Sequence, residues 1–125
     1  MLEIGLKHQS VMRVMEGNTA EFIGSGDMAV LATPAMVALM ENAAMKSVAD
    51  TIADDETTVG AQVSVSHLRP TPLADTVNAT ATLVEIDGRK LTFRVIAEDS
   101  KGLVGEGTHV RYIVNCERFV SKITL

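Results

Sequence analysis

The sequence changes its period once, and that change restricts the fold more than any other feature of the chain. From Thr33 to about Ala53 it reads as a single helix. Thr33 suits the N-cap, Pro34 suits the first helical position, and Ala, Met and Leu dominate the remainder of the segment. An acidic, turn-like stretch from Asp50 to Thr57 ends it. Beyond that point apolar residues recur at every second position, the mark of strands with one buried face. Val59, Ala61, Val63 and Val65 form one run, Val77, Ala79, Ala81 and Leu83 a second, and Leu91, Phe93, Val95 and Ala97 a third. Arg69-Pro70-Thr71-Pro72 separates the first two, and Asp87-Gly88, which tolerates the positive φ of a tight turn, joins the next two as a hairpin. Ser100-Lys101-Gly102 turns into a further strand, Leu103 to Cys116, with a short last strand expected before Leu125. Upstream, Leu2 to Val14 is compatible with a first strand, and Glu16 to Asp27 reads as loop.

One helix of about twenty residues has to bury its apolar stripe, and the only large partner is the face of the sheet. The expectation is an α+β protein of strand, loop, one long helix and then four or so consecutive antiparallel strands, the antiparallel sheet wrapping around the one long central helix in the hotdog architecture. A chain of 125 residues makes this a single domain, 1–125, able to bury a core without disulfide or metal. Cys116 is the only cysteine, so no intrachain disulfide forms and a reducing compartment is the simplest reading. A net charge of −5 argues against a general nucleic-acid or anionic-membrane surface. No stretch approaches the ~20 apolar residues of a membrane span, and the amino terminus lacks the basic start and apolar run of a leader. Cytoplasmic location is expected.

Polar residues placed where the pattern demands apolar ones carry the functional information. Glu41 has Val37, Ala38, Ala44, Met45 and Val48 as helical neighbours, so its carboxylate projects from or beside the core-facing stripe. It either reaches water at the stripe's edge or stands desolvated in a cleft, where it would act as base, nucleophile or orienting partner. His67 ends a strand, where side chains converge on a cleft, and its imidazole is a natural proton carrier near neutral pH. Thr33 is explained by capping alone. Gly60 lies inside a strand, where glycine often marks the close approach of a ligand or another backbone. His109 and Arg111 share one face of the last long strand at a spacing of two; solvated side chains are the default there and anion binding the sharper reading.

Together these positions resemble the hotdog family of fluoroacetyl-CoA thioesterases. The likeness runs from about Val30 to Phe119 and rests on Ala32-Thr33 followed by Met36-Val37-Ala38-Leu39-Met40-Glu41, on Gly60 ahead of Val63-Ser64-Val65-Ser66-His67, and on Gly107-Thr108-His109-Val110-Arg111. The resemblance implies a catalytic triad of Thr33, Glu41 and His67 acting on an acyl-CoA, with the Thr33 hydroxyl orienting the Glu41 carboxylate by a hydrogen bond. Gly60 would lie beside the reacting carbonyl, and Arg111, with His109, toward the substrate. It implies no cofactor beyond the CoA of the substrate, and no metal. It also implies a homodimer, or a higher homo-oligomer, with each site at an interface, Thr33 and Glu41 coming from one subunit and His67 from the other. One departure concerns specificity. The fluoroacetyl-specific enzyme has two phenylalanines gating its pocket just upstream of the threonine, whereas this chain has Gly24 and Asp27 at those places.

The leading expectation is therefore hydrolysis of a short or medium acyl-CoA. The alternative is a non-catalytic hotdog module that binds acyl-CoA or a related metabolite. A hydratase is weaker, since no motif for adding water to an enoyl chain is present.

Overall fold

The computed structural model describes residues 1–125 and contains five strands: β1 (Lys7–Arg13), β2 (Glu56–His67), β3 (Thr76–Asp87), β4 (Lys90–Asp99) and β5 (Gly102–Asn115). They form one antiparallel sheet in the order β1-β3-β4-β5-β2. The long helix, α2 (Thr33–Val48), lies across the concave face, mainly over β1 and β3. A short helix, α1 (Ala20–Ile23), precedes it, and a last helix, α3 (Cys116–Ile123), follows β5. No helix is long and apolar enough to cross a membrane.

The core forms where the two periodicities meet. Alternate residues of β3 (Val77, Ala79, Ala81, Leu83) and β4 (Leu91, Phe93, Val95, Ala97) are fully buried beneath Ala35, Met36, Leu39, Met40, Ala43, Ala44 and Val48 of α2. The small alanines of both layers let the helix sit close to the sheet. Phe93 is the largest side chain sealed there, and truncating it to Ala would cost about 3–5 kcal/mol. The wrapped sheet and single central helix are those of the hotdog fold.

Four local expectations are corrected. The segment after β1 is not all loop: a 3₁₀ turn (Glu16–Asn18) and α1 occupy part of it, with the Thr19 hydroxyl accepting from Phe22 N at 3.4 Å. The chain ends in α3 and not in a strand, because the Asn115 side chain caps Arg118 N and turns the backbone into a helix. The strands are not all paired in chain order, since β2 pairs with β5 rather than β3. Nor does β2 bury the face of Val59, Ala61, Val63 and Val65. It is an edge strand, exposed from Gly60 to Ser64, and an extra residue at Ala61 breaks its alternation.

Candidate active site

The start of α2 and the end of β2 bring Thr33 and His67 together. Thr33 Oγ1 lies 2.7 Å from His67 Nδ1 across 34 positions of sequence. This replaces the capping role read from the sequence: the N-cap is Ala32, whose side chain makes no cap, and the Thr33 hydroxyl serves the imidazole instead. The pair opens into a cleft of about 280 Å³ walled by Ala20, Ser25, Val30, Leu31 and the segment from Leu68 to Pro70. Desolvation holds His67 below the ordinary imidazole value of 6.5, with the Arg69 backbone restoring only part of the loss. His67 Nε2 is buried and completes no hydrogen bond within the protomer. A neutral imidazole paired with a hydroxyl at this distance is chemically suited to carry a proton.

Glu41 stands at a second centre. It is eight residues beyond Thr33, about 12 Å along the helix axis at ~1.5 Å per residue, and its side chain is 40% exposed. Its Oε2 lies 3.6 Å from Arg111 Nη1 and 4.0 Å from His109 Nε2. Gly60 makes this possible, because a Cβ there would fall 2.5 Å from Glu41 Oε2.

The base beneath Glu41 is rigid. Arg111 donates from Nε to Thr58 Oγ1 at 2.8 Å and from Nη2 to Thr58 O at 2.9 Å. His109 donates from Nδ1 to the Gln62 carbonyl at 2.8 Å, just past the bulge, which leaves Nε2 to accept from Arg111 Nη1 at 3.2 Å. That pattern fixes His109 as a neutral imidazole, in accord with desolvation holding its pKa down and the Arg111 charge lowering it further. Burial also pulls the Arg111 guanidinium down, with Glu41 opposing it. His109 is 1% exposed and Arg111 6%, so the pair is not solvated as its spacing suggested. The two side chains occupy the inward register of β5 that Ile113 continues.

Two placements differ from the expected assembly. His67 meets Thr33 within one chain, so the two do not come from opposite subunits. Thr33 is bonded to His67 and does not hold Glu41 in that chain. Sequence reasoning also passed over Thr58, which fixes Arg111, and over Asp99, which anchors the segment after His67. Asp99 is detectable: it extends the buried series Leu91, Phe93, Val95, Ala97 by one more inward position, where a carboxylate breaks the pattern. No group of His, Cys, Asp and Glu side chains is arranged to hold a metal ion.

A sheet wrapped around one helix, with a hydroxyl–imidazole pair at the helix start and a carboxylate two turns on, defines a hotdog-fold hydrolase. The family model described as fluoroacetyl-CoA-specific thioesterase (FlK) matches residues 14–117. The fluoroacetyl-CoA thioesterase of Streptantibioticus cattleyicolor is 38% identical over 94 residues, 75% of this chain and 68% of that protein. The solved structure of the fluoroacetyl-CoA thioesterase FlK superposes with a TM-score of 0.91 at 30% identity, covering 98% of this chain and 96% of that one. A hot-dog-like protein from Thermanaerovibrio acidaminovorans shares the fold alone, with a TM-score of 0.89 at 21% identity over 98% and 90% of the two chains. The chain belongs to the fluoroacetyl-CoA-specific thioesterase family and is a thioester hydrolase.

Proposed function

We propose that the protein hydrolyses a short or medium acyl-CoA to the free acid and CoA, with Thr33, Glu41 and His67 as its catalytic residues. The observation that carries this reading is the 2.7 Å contact between Thr33 Oγ1 and His67 Nδ1, because the helix uses that hydroxyl neither as cap nor as core. In the reaction, water adds to the thioester carbonyl, the carbon–sulfur bond breaks, and the thiolate leaves as a thiol. Glu41 attacks the carbonyl or activates the water. His67, linked to Thr33, takes up and returns the proton that the departing sulfur needs. In the first turn of α2, Pro34 has no N–H and Ala35 and Met36 donate to the Ala32 carbonyl, so the Thr33 N–H is the amide left for the developing oxyanion.

The distance between the two centres is met by a homodimer. Strand β2 leaves one edge free over twelve residues and carries neither Lys, Arg nor Pro to block pairing. A two-fold axis between Val63 and Ser64 would pair the strand antiparallel with its copy and set Gly60 across from His67 of the partner subunit. Each site then takes Thr33 and His67 from one protomer and Glu41 from the other. Gly60 and the His109–Arg111 base lie beside the acyl group on the Glu41 side. The Gly24 to Asp27 stretch has no aromatic gate, and Phe22 is 65% exposed, so a preference for the fluoroacetyl group does not follow.

A thiol-release assay over an acyl-CoA panel tests the proposal. Turnover is expected on at least one thioester, with losses of about 10²-fold or more in Thr33→Ala, Glu41→Gln and His67→Ala. Tight binding of every acyl-CoA without thiol release would overturn it.

A further inference from the structure

The carboxylate of Asp99 is wholly shielded from solvent, at the end of β4. It accepts hydrogen bonds from Arg69 Nη2, from Thr71 Oγ1 at 2.9 Å and from Lys101 N at 2.9 Å. Arg69 Nη2 also reaches the Gly102 carbonyl at 3.1 Å. Burial alone would raise the Asp99 pKa, but the hydrogen bonds from Arg69, Lys101 and Thr71 and the Arg69 charge together hold it below the usual carboxylate value.

These bonds grip the segment 68–72 from behind, and the catalytic pair hangs from its two ends. At one end Leu68, next to His67, donates to the Val104 carbonyl at 2.7 Å. At the other end the Thr71 carbonyl accepts from Leu31 N at 2.9 Å and Pro72 bridges Val30, just ahead of Thr33. A buried ion pair gives folding little that apolar packing would not supply, so its placement at this joint calls for a reason of its own. We infer that Asp99 is a positioning residue: through Arg69 and Thr71 it sets the separation of the Thr33 hydroxyl and the His67 imidazole without touching substrate.

The inference rests on Thr33 and His67 being the working pair of the proposed hydrolase, and its test is chosen to separate the two ideas. The ring resonances of His67, one of three histidines, are assigned with His67→Gln and titrated by NMR, which needs no turnover. Asp99→Asn keeps the shape and the acceptor for Thr71 but removes the charge that holds Arg69. Apart from His67, Arg69 is the only titratable side chain on the cleft. The His67 midpoint should move from its wild-type value, because the packing that desolvates the imidazole and its distance from the unpaired Arg69 cation both change. The kcat should fall about tenfold or more with KM changed less than about threefold, the pattern of lost alignment. Thr71→Val, which deletes one donor, should act in the same direction more weakly, and it decides the matter if Asp99→Asn does not fold. A wild-type His67 titration and wild-type kcat in a folded variant, even with a lowered Tm, would overturn the inference. A shifted titration in a protein whose wild type releases no thiol would uphold the positioning and refute the hydrolase.

Discussion

Gly60 faces Glu41 so closely that a methyl group at position 60 would sit 2.5 Å from the carboxylate oxygen Oε2. The requirement is one of space, because the backbone there is ordinary strand and not left-handed. Gly60→Ala should therefore push the carboxylate off its seat over Arg111 and lower kcat about tenfold or more. The clash falls on the tip of one half-exposed side chain and leaves the strand ladder intact, so Tm should shift by less than about 4 °C. Steady-state kinetics beside a melting curve checks both.

Thr33 separates two jobs that a helix-start threonine can do. Its hydroxyl bonds to His67 while Ala32 holds the cap position. Removing the hydroxyl with Thr33→Val should leave Tm nearly unchanged, in contrast to the ~1 kcal/mol lost when a capping threonine is deleted. The kcat should fall by about 10²-fold, while Thr33→Ser should retain most activity. A large loss of stability in Thr33→Val would restore the capping explanation.

The half-buried His67 and the buried His109 both work as neutral imidazoles, and acid removes what each supplies. Desolvation holds both His67 and His109 below 6.5. For activity, His67 must be neutral to accept a proton, so kcat/KM should stay flat through pH 6.5 and fall only as pH passes below the lowered folded value. For stability, unfolded histidine binds its proton near 6.5 while the folded forms resist it. Stability is therefore fully present above that pH and is lost as pH falls through the folded values. Melting curves between pH 7.5 and 5 should show this decline, and His109→Gln should flatten it. A rise in Tm on acidification would contradict the neutral assignment of His109.

Subunit mixing tests where Glu41 acts. Thr33→Ala and Glu41→Gln proteins, each inactive, should regain roughly one quarter of wild-type activity when refolded together. Half of the dimers are then mixed, and one of their two sites carries no lesion. If all three residues worked within one chain, every site would keep a lesion and mixing would recover nothing.

The parts of the structure legible in the sequence are those set by local period. The helix start at Thr33, the buried stripes of β3 and β4 and the turn at Asp87-Gly88 follow from residue spacing, and the structure has them there. Edge pairing is less visible. In β2 the alternation of valines suggested a buried face, but burial depends on what covers the strand, and α2 lies mainly over β1 and β3, while the bulge at Ala61 breaks the alternation. The short helix α1 and the final helix α3 depend on single caps, Thr19 and Asn115, within segments that otherwise lack a period. Among candidate site residues, Glu41 and His67 stood out as polar breaks in a pattern. The burial of His109 and Arg111 did not, because a spacing of two on a strand is the same whether the face is wet or dry until the opposing helix is in place.

The joint between residues 30–31 and 71–72 is made of one isolated bridge, held by the Leu31 N–H to Thr71 carbonyl bond, while the strands behind it share a continuous ladder. Two mechanical strengths are therefore built into one small body. Moderate warming would part the weaker seam first and let the hydroxyl drift from its imidazole while the sheet still held. The enzyme would then fall silent, and recover on cooling, well before it denatured.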